Sequence, residues 1–250
     1  MAPRYHIDTI PVWDALHKQE ECLLCILRRQ TEHLLADRYL GGSVMEPSTR
    51  IRVNEKGFCQ AHHKMLFQRQ NKLGHALLML SHLKEVRRKL DSKPLVQKNK
   101  QGSGFFSFKS KSSANKNLVL DNLTSGCVLC DGLEENINRY SYTILHLWKT
   151  DKAFQKEFSA SKGVCLPDAN LLIQMSEKHL TGQDGSHFRD TLVNLLAESF
   201  SRLEEELEWF TLKFDYRNSD KSWGTSKDAL ERSITKLRGW SVGKDPGKED

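Results

Sequence analysis

The 250-residue chain contains no apolar run approaching the ~20 residues that a membrane helix requires. Its start, Met1-Ala-Pro-Arg-Tyr-His-Ile-Asp-Thr-Ile10, lacks the apolar stretch of a secretory signal, so a reducing cytoplasm is the expected compartment. No segment alternates apolar and polar residues with turn signals at its ends, so few strands are expected. Nor is there a Ser-His-Asp set, a phosphate loop or a nucleotide fingerprint. These absences favour a non-enzymatic reading. Between residues 92 and 120 there is also no acidic residue.

That acid-free stretch explains the net charge. It holds six lysines, Lys93, Lys98, Lys100, Lys109, Lys111 and Lys116, and the whole chain carries 38 basic and 32 acidic residues, a formal charge of +6. Taking those six from 38 leaves 32 basic residues against 32 acidic ones, so the remainder is neutral. The stretch is rich in Ser, Lys, Asn and Gly, and cannot bury enough apolar area to offset its ordering entropy. It reads as a disordered Lys/Ser-rich linker over 92–120. A basic arm for RNA or anionic lipid, using Phe105, Phe106 and Phe108, is the competing reading. Linkers of this composition are common, so nucleic acid is not an expected partner. The composition of the whole chain is that of a globular protein, with 38% hydrophobic and 28% charged residues.

The six cysteines carry the most information. Cys22-Leu-Leu-Cys25 and Cys127-Val-Leu-Cys130 are two Cys-x-x-Cys pairs. Cys59 lies in Gly57-Phe-Cys-Gln-Ala-His62, and Cys165 lies in Gly163-Val-Cys-Leu-Pro-Asp168. The spacing from Cys25 to Cys59 is 34 positions, and from Cys130 to Cys165 it is 35. The offset between the two copies is 105 at the first pair (127 − 22) and 106 at the third cysteine (165 − 59). An internal repeat accounts for this.

Each half then supplies four donors. The first half, 1–91, offers Cys22, Cys25, Cys59 and His62; the second, 121–250, offers Cys127, Cys130, Cys165 and Asp168. Three thiolates and an imidazole suit tetrahedral zinc, and a carboxylate oxygen is a harder fourth donor. The expectation is one zinc site per half, with His63 as an alternative fourth ligand in the first. An iron–sulfur cluster is the alternative cofactor.

Apolar spacing predicts an all-α fold. Helices are expected over 12–40, 57–90, 131–149, 167–180 and 186–214, with a polar loop over 41–56 and a connector over 151–162. A last helix should enter through a Thr225-x-x-Asp228 capping box and end at Gly239. A metal would clip the first two long helices side by side near their N-termini. Tyr216, Arg217, Trp223 and Trp240 form either a binding surface or, by preference, a strap that caps the core.

Tyr5-His-Ile-Asp-Thr-Ile-Pro11, Glu21-Cys-Leu-Leu-Cys25, Met45-Glu-Pro47, Gly57-Phe-Cys-Gln-Ala-His62 and Lys213-Phe-Asp-Tyr-Arg217 together resemble a family of uncharacterised clostridial and related Firmicutes proteins, known only as a domain of unknown function. The resemblance covers nearly the whole chain outside the linker. Some relatives carry a transporter-component label, which the lack of a lipoprotein cysteine or membrane segment does not support. In the family pattern the position of Asp168 is often His, so the second site departs from it. The family implies no activity. The resulting expectation is a non-enzymatic, cytoplasmic, zinc-binding helical protein that binds or scaffolds a protein partner. A thiol-redox or iron–sulfur protein is the alternative, and a zinc enzyme at Asp168 a more distant one.

Overall fold

The computed structural model describes residues 6–92, 120 and 123–248. The linker reading and its lysines and phenylalanines fall almost wholly outside the described residues. Among the described residues there are ten α-helices and no strand, and no helix is long and apolar enough to cross a membrane. The helices are α1 (His6–His17), α2 (Leu23–Leu40), α3 (Pro47–Lys56), α4 (Gln60–Gln68), α5 (Lys72–Ser92), α6 (Val128–Thr150), α7 (Lys152–Ser159), α8 (Leu166–His179), α9 (Gly182–Leu212) and α10 (Ala229–Arg238).

The chain divides into two compact units, Met1–His33 with Leu133–Asp250, and Leu34–Gly132. The sequence halves, 1–91 and 121–250, cut the chain elsewhere. The divisions between the units fall inside α2 and α6.

In the larger unit α1 packs on α7, and α9 packs on α7, α8 and α10. Its core joins Val12 and Leu16 of α1 to Leu24 and Leu27 of α2, and Ile144 and Trp148 of α6 to Leu172 of α8 and Leu192 of α9. The short helix α7 is fixed at its start by Asp151, whose carboxylate accepts hydrogen bonds from the N–H groups of Ala153 and Phe154. Phe154 and Phe158 lie four apart on one face, and both are fully buried. The Phe158 ring stacks on Phe188 at 6.1 Å and meets Trp148 edge-on at 6.0 Å.

The smaller unit has its own core. Ala36, Tyr39 and Leu40 of α2 pack with Val53, Phe58, Leu66 and Leu78, and with Val128 and Leu129 at the start of α6. Helix α3 lies against α5.

Several boundaries differ from the sequence reading. The helix expected over 12–40 is broken between α1 and α2, where Gln19 adopts φ +54° and turns the chain. The expected loop over 41–56 contains a 3-10 turn, Gly42–Met45, and α3, which begins with Pro47 in its first turn. Helix α3 buries only Val53, so it lacks the apolar stripe that would have revealed it. The helix expected over 57–90 is two helices. Asn71 separates them: its Oδ1 accepts from Gly74 N at 2.8 Å and its Nδ2 donates to Leu40 O at 2.5 Å. Asn71 thereby caps the start of α5. Helix α10 begins after Asp228, three residues later than a Thr225 cap would start it, and no capping box forms: the Thr225 hydroxyl bonds Glu206.

Trp223 packs against Phe210 at 5.6 Å, and Trp240 sits half-buried with the Arg29 guanidinium 4.3 Å above its ring. Tyr216 is exposed, and Arg217 pairs with Asp215.

Candidate metal centre

All eight donors read from the sequence are brought into two groups of four, but the groups exchange partners between the halves. Cys22 and Cys25 meet Cys165 and Asp168; Cys59 and His62 meet Cys127 and Cys130. The expectation that each half closes its own site is therefore corrected, and with it the side-by-side clip of the first two long helices. Each group lies within a single compact unit. The ligand atoms of each group lie within 4.8 Å of one another.

The same local geometry recurs in both. Each third cysteine follows a glycine in the left-handed region, Gly57 at φ +65° and Gly163 at φ +68°. The carbonyl of that glycine accepts a hydrogen bond from the residue after the first cysteine of the opposite pair. Val128 N reaches Gly57 O at 3.1 Å, and Leu23 N reaches Gly163 O at 3.2 Å. The residue between glycine and cysteine, Phe58 or Val164, is buried and anchors the turn. Cys59 and Cys165 then stand at the N-caps of α4 and α8, with nearly equal backbone angles. The third and fourth donors, three apart, so share a helix start. Within each Cys-x-x-Cys pair the first sulfur accepts from the second residue's N–H, at 3.3 Å for Cys22 and 3.4 Å for Cys127.

In the larger unit, Asp168 Oδ2 lies 3.1 Å from Cys165 Sγ, 3.3 Å from Cys22 Sγ and 3.8 Å from Cys25 Sγ, and Cys25 Sγ is 3.9 Å from Cys165 Sγ. The other oxygen of Asp168 accepts from Arg28 Nη2 at 2.7 Å, so the carboxylate is oriented with one oxygen inward. Cys25 Sγ also accepts from Trp240 N at 3.3 Å. All four donors are buried: Cys22 1%, Cys25 3%, Cys165 1% and Asp168 4% exposed. A cavity of about 150 Å³ touches Cys22 and Cys25, with Glu20, Arg232 and Trp240 among its lining.

Crowding of acidic groups sets their protonation. Burial pushes the Cys22 thiol up to about 12. Bonds from Cys165 and Cys22 hold Cys25 down at about 4. Bonds with Cys22 and then Cys25 push Cys165 up. Burial and then the Cys22 charge raise Asp168 to about 6, against the pull of Arg28. A cation seated among these donors replaces protons, so binding releases them and weakens in acid.

A buried cation braces this group from behind. Lys236 on α10 is fully buried, and its Nζ donates to Glu21 O and Lys162 O, each at 2.6 Å. These carbonyls precede Cys22 and Cys165 in the two turns that present them. Glu21, 1% exposed in its side chain, accepts from Arg202 at 2.8 and 2.9 Å. Burial pushes its carboxyl up, but the Arg202 bond and the charges of Lys236, Arg202 and Lys162 bring it below the ordinary value.

In the smaller unit, His62 Nδ1 lies 3.2 Å from Cys59 Sγ, 3.2 Å from Cys127 Sγ and 3.3 Å from Cys130 Sγ, and Cys59 Sγ is 3.8 Å from Cys130 Sγ. Burial raises Cys127, but the His62 bond and backbone donors outweigh it and bring the thiol to about 6. Burial and then Cys127 push Cys130 up. His63, the alternative ligand, instead bonds His75, with Nδ1 and Nε2 3.3 Å apart. Sequence reasoning did not find Arg28 or Lys236, and it read Trp240 among the C-terminal aromatics without linking it to Cys25. Arg28 stands three residues after Cys25 on α2, a spacing that places it on the same face, whereas Lys236 and Trp240 reach the site only through packing.

The comparisons agree with the motif-borne resemblance. An uncharacterised 23.9 kDa protein of the xynA 3′ region of Caldicellulosiruptor sp. (strain Rt8B.4) is 21% identical over 202 residues, covering 80% of this chain and 86% of its own. No solved structure matches the chain. Residues 3–244 match a family of unknown function (DUF6062), and the chain belongs to that family.

Proposed function

We propose that this chain is a non-enzymatic helical protein stapled by two zinc ions, one in each compact unit, and that it serves as a cytoplasmic binding or scaffolding module for a protein partner. The observation that carries the metal reading is the donor geometry. Four ligands about 2.3 Å from a central ion stand about 3.8 Å apart at tetrahedral angles. The sulfur pairs at 3.8 and 3.9 Å fit that spacing. His62 Nδ1 approaches three sulfurs almost equally. One ring nitrogen makes one hydrogen bond, so three equal approaches favour a shared ion. A disulfide needs about 2.05 Å between sulfurs, and all six cysteines are free thiols.

Zinc is favoured over an iron–sulfur cluster because the donors lie so close together. A cluster of several irons holds its thiolates further apart than a single ion does. The structural role is supported by the four protein donors in each group, a complete tetrahedral set. Free thiols throughout support a reducing compartment. Elemental analysis of protein purified without oxygen or chelator tests the reading. Two zinc per chain and a colourless protein are expected. Iron with visible absorption would favour the cluster, and no bound metal would refute both.

A further inference from the structure

The two centres share their local geometry but differ sharply in access. Around Cys22, Cys25, Cys165 and Asp168 every donor is at most 4% exposed. In the other centre Cys130 is exposed and Cys59 half-buried, while Cys127 and His62 are buried. The buried centre also draws charge from its sulfur through the Trp240 N–H bond to Cys25. Metal-bound thiolates remain nucleophiles, and their rate of reaction is set by access and by the charge left on sulfur.

We propose that the Cys59/His62/Cys127/Cys130 centre is a modification site for peroxides and soft electrophiles, with Cys130 the attacking sulfur, and that its oxidation expels the metal while the buried centre keeps its own. The proposal rests on both centres holding zinc. Cys130 is an exposed residue, and Cys59 Sγ lies 3.8 Å from its Sγ, close enough to resolve the first product.

The chemistry balances with hydrogen peroxide as oxidant. The Cys130 thiolate attacks one peroxide oxygen; an S–O bond forms, the O–O bond breaks, and hydroxide leaves. The Cys59 thiolate attacks the Cys130 sulfur; an S–S bond forms, the S–O bond breaks, and a second hydroxide leaves. The two thiolates have lost two electrons to the peroxide, and two protons from solvent convert both hydroxides to water. Cys127 and His62 alone hold zinc too weakly to retain it, and the ion departs hydrated. A maleimide gives the electrophile branch. Its alkene carbon bonds to Cys130 sulfur, the adjacent carbon takes one proton from solvent, and no electrons leave the protein.

The test uses the full zinc-loaded chain, with metal content measured first. Peroxide is added in the presence of a metallochromic indicator, and the cysteines are mapped by peptide mass spectrometry. One of the two bound zinc ions should be released, with a Cys59–Cys130 disulfide. N-ethylmaleimide should label Cys130 about tenfold or more faster than Cys22, Cys25 or Cys165. Release of both ions at one rate, release of neither, or first labelling at Cys22, Cys25 or Cys165 overturns the proposal. A chain that carries no metal at the outset overturns the zinc reading instead. The maleimide labelling order, read on that same protein, then decides the modification site by itself.

Discussion

Lys236 shows how one residue can serve a candidate metal centre without belonging to its donor set. Its ammonium satisfies carbonyls in both turns that present cysteines of the buried group, and it faces the Glu21 carboxylate at 3.6 Å. Burial lowers its pKa and Glu21 opposes that. Lys236→Met keeps the length of the side chain but orphans the carbonyls and removes a partner from a buried carboxylate. The expected loss is about 3 kcal/mol. Urea denaturation measures it, and a chelator should strip the Cys22/Cys25/Cys165/Asp168 centre faster than in the wild type. An unchanged chelation rate would separate Lys236 from the metal. Asp245 is a second informative residue. Burial pushes its carboxyl up, but bonds from Arg29 at 2.6 Å, from Gly247 N–H and from His33 hold it well below the usual carboxylate range. A depressed carboxyl stabilises the fold above its unfolded value of 3.8, and that contribution fades as pH falls below 3.8 toward the folded value. Asp245→Asn should therefore cost about 1–2 kcal/mol at neutral pH and progressively less in acid. Comparing mutant with wild type at each pH cancels acid losses common to both.

Helix starts and the glycine turns before them are the elements that build both centres. Gly57 and Gly163 occupy the left-handed region that favours glycine. A Cβ on Gly57 would lie 2.7 Å from the His82 ring, whereas one on Gly163 would lie 3.3 Å from a Leu195 methyl. Both alanine variants should be destabilised, by about 1–2 kcal/mol from backbone strain. Gly57→Ala should be the worse of the two, since a ring bonded to Asn54 O has to move while a methyl can yield. Equilibrium unfolding ranks them, and equal costs would mean that the backbone angle alone matters. At this scale the sequence was partly legible. Helices with strong apolar faces, such as α6 and α8, stand within a few residues of their expected places. The polar helix α3 and the Asn71 break were missed because neither interrupts nor creates an apolar period.

For the molecule as a whole, the zinc reading makes the two units unequal. The Leu34–Gly132 unit has the smaller core, and its buried aromatics are Tyr39 and Phe58 alone among the described residues. The larger unit adds the Trp148, Phe154, Phe158 and Phe188 cluster. A small core depends more heavily on a staple, because the free energy of metal binding is folding free energy. Graded chelation followed by hydrogen exchange should therefore remove protection first in α3, α4 and α5, with α7 and α9 persisting. Simultaneous loss throughout would mean that the cores do not carry the larger unit. Acid should act in the same direction as chelator, since the thiolates must be protonated for the metal to leave.

The sequence by itself determined the eight candidate donors, the helical class and the family. The Cys-x-x-Cys pairs, the Gly-x-Cys turns and the 3.6-residue apolar period are local, and local spacing is written directly in the chain. It could not determine which pair meets which turn. An offset of 105 between the copies is equally compatible with sites closed inside each half and with sites exchanged between them. The exchange was decided only by tertiary packing, where Leu23 N finds Gly163 O and Val128 N finds Gly57 O. Burial was decided there too. Cys25 and Cys130 occupy the same place in their motifs, yet one is enclosed by Trp240 and the other faces solvent, because only the packed chain brings a cover to one of them.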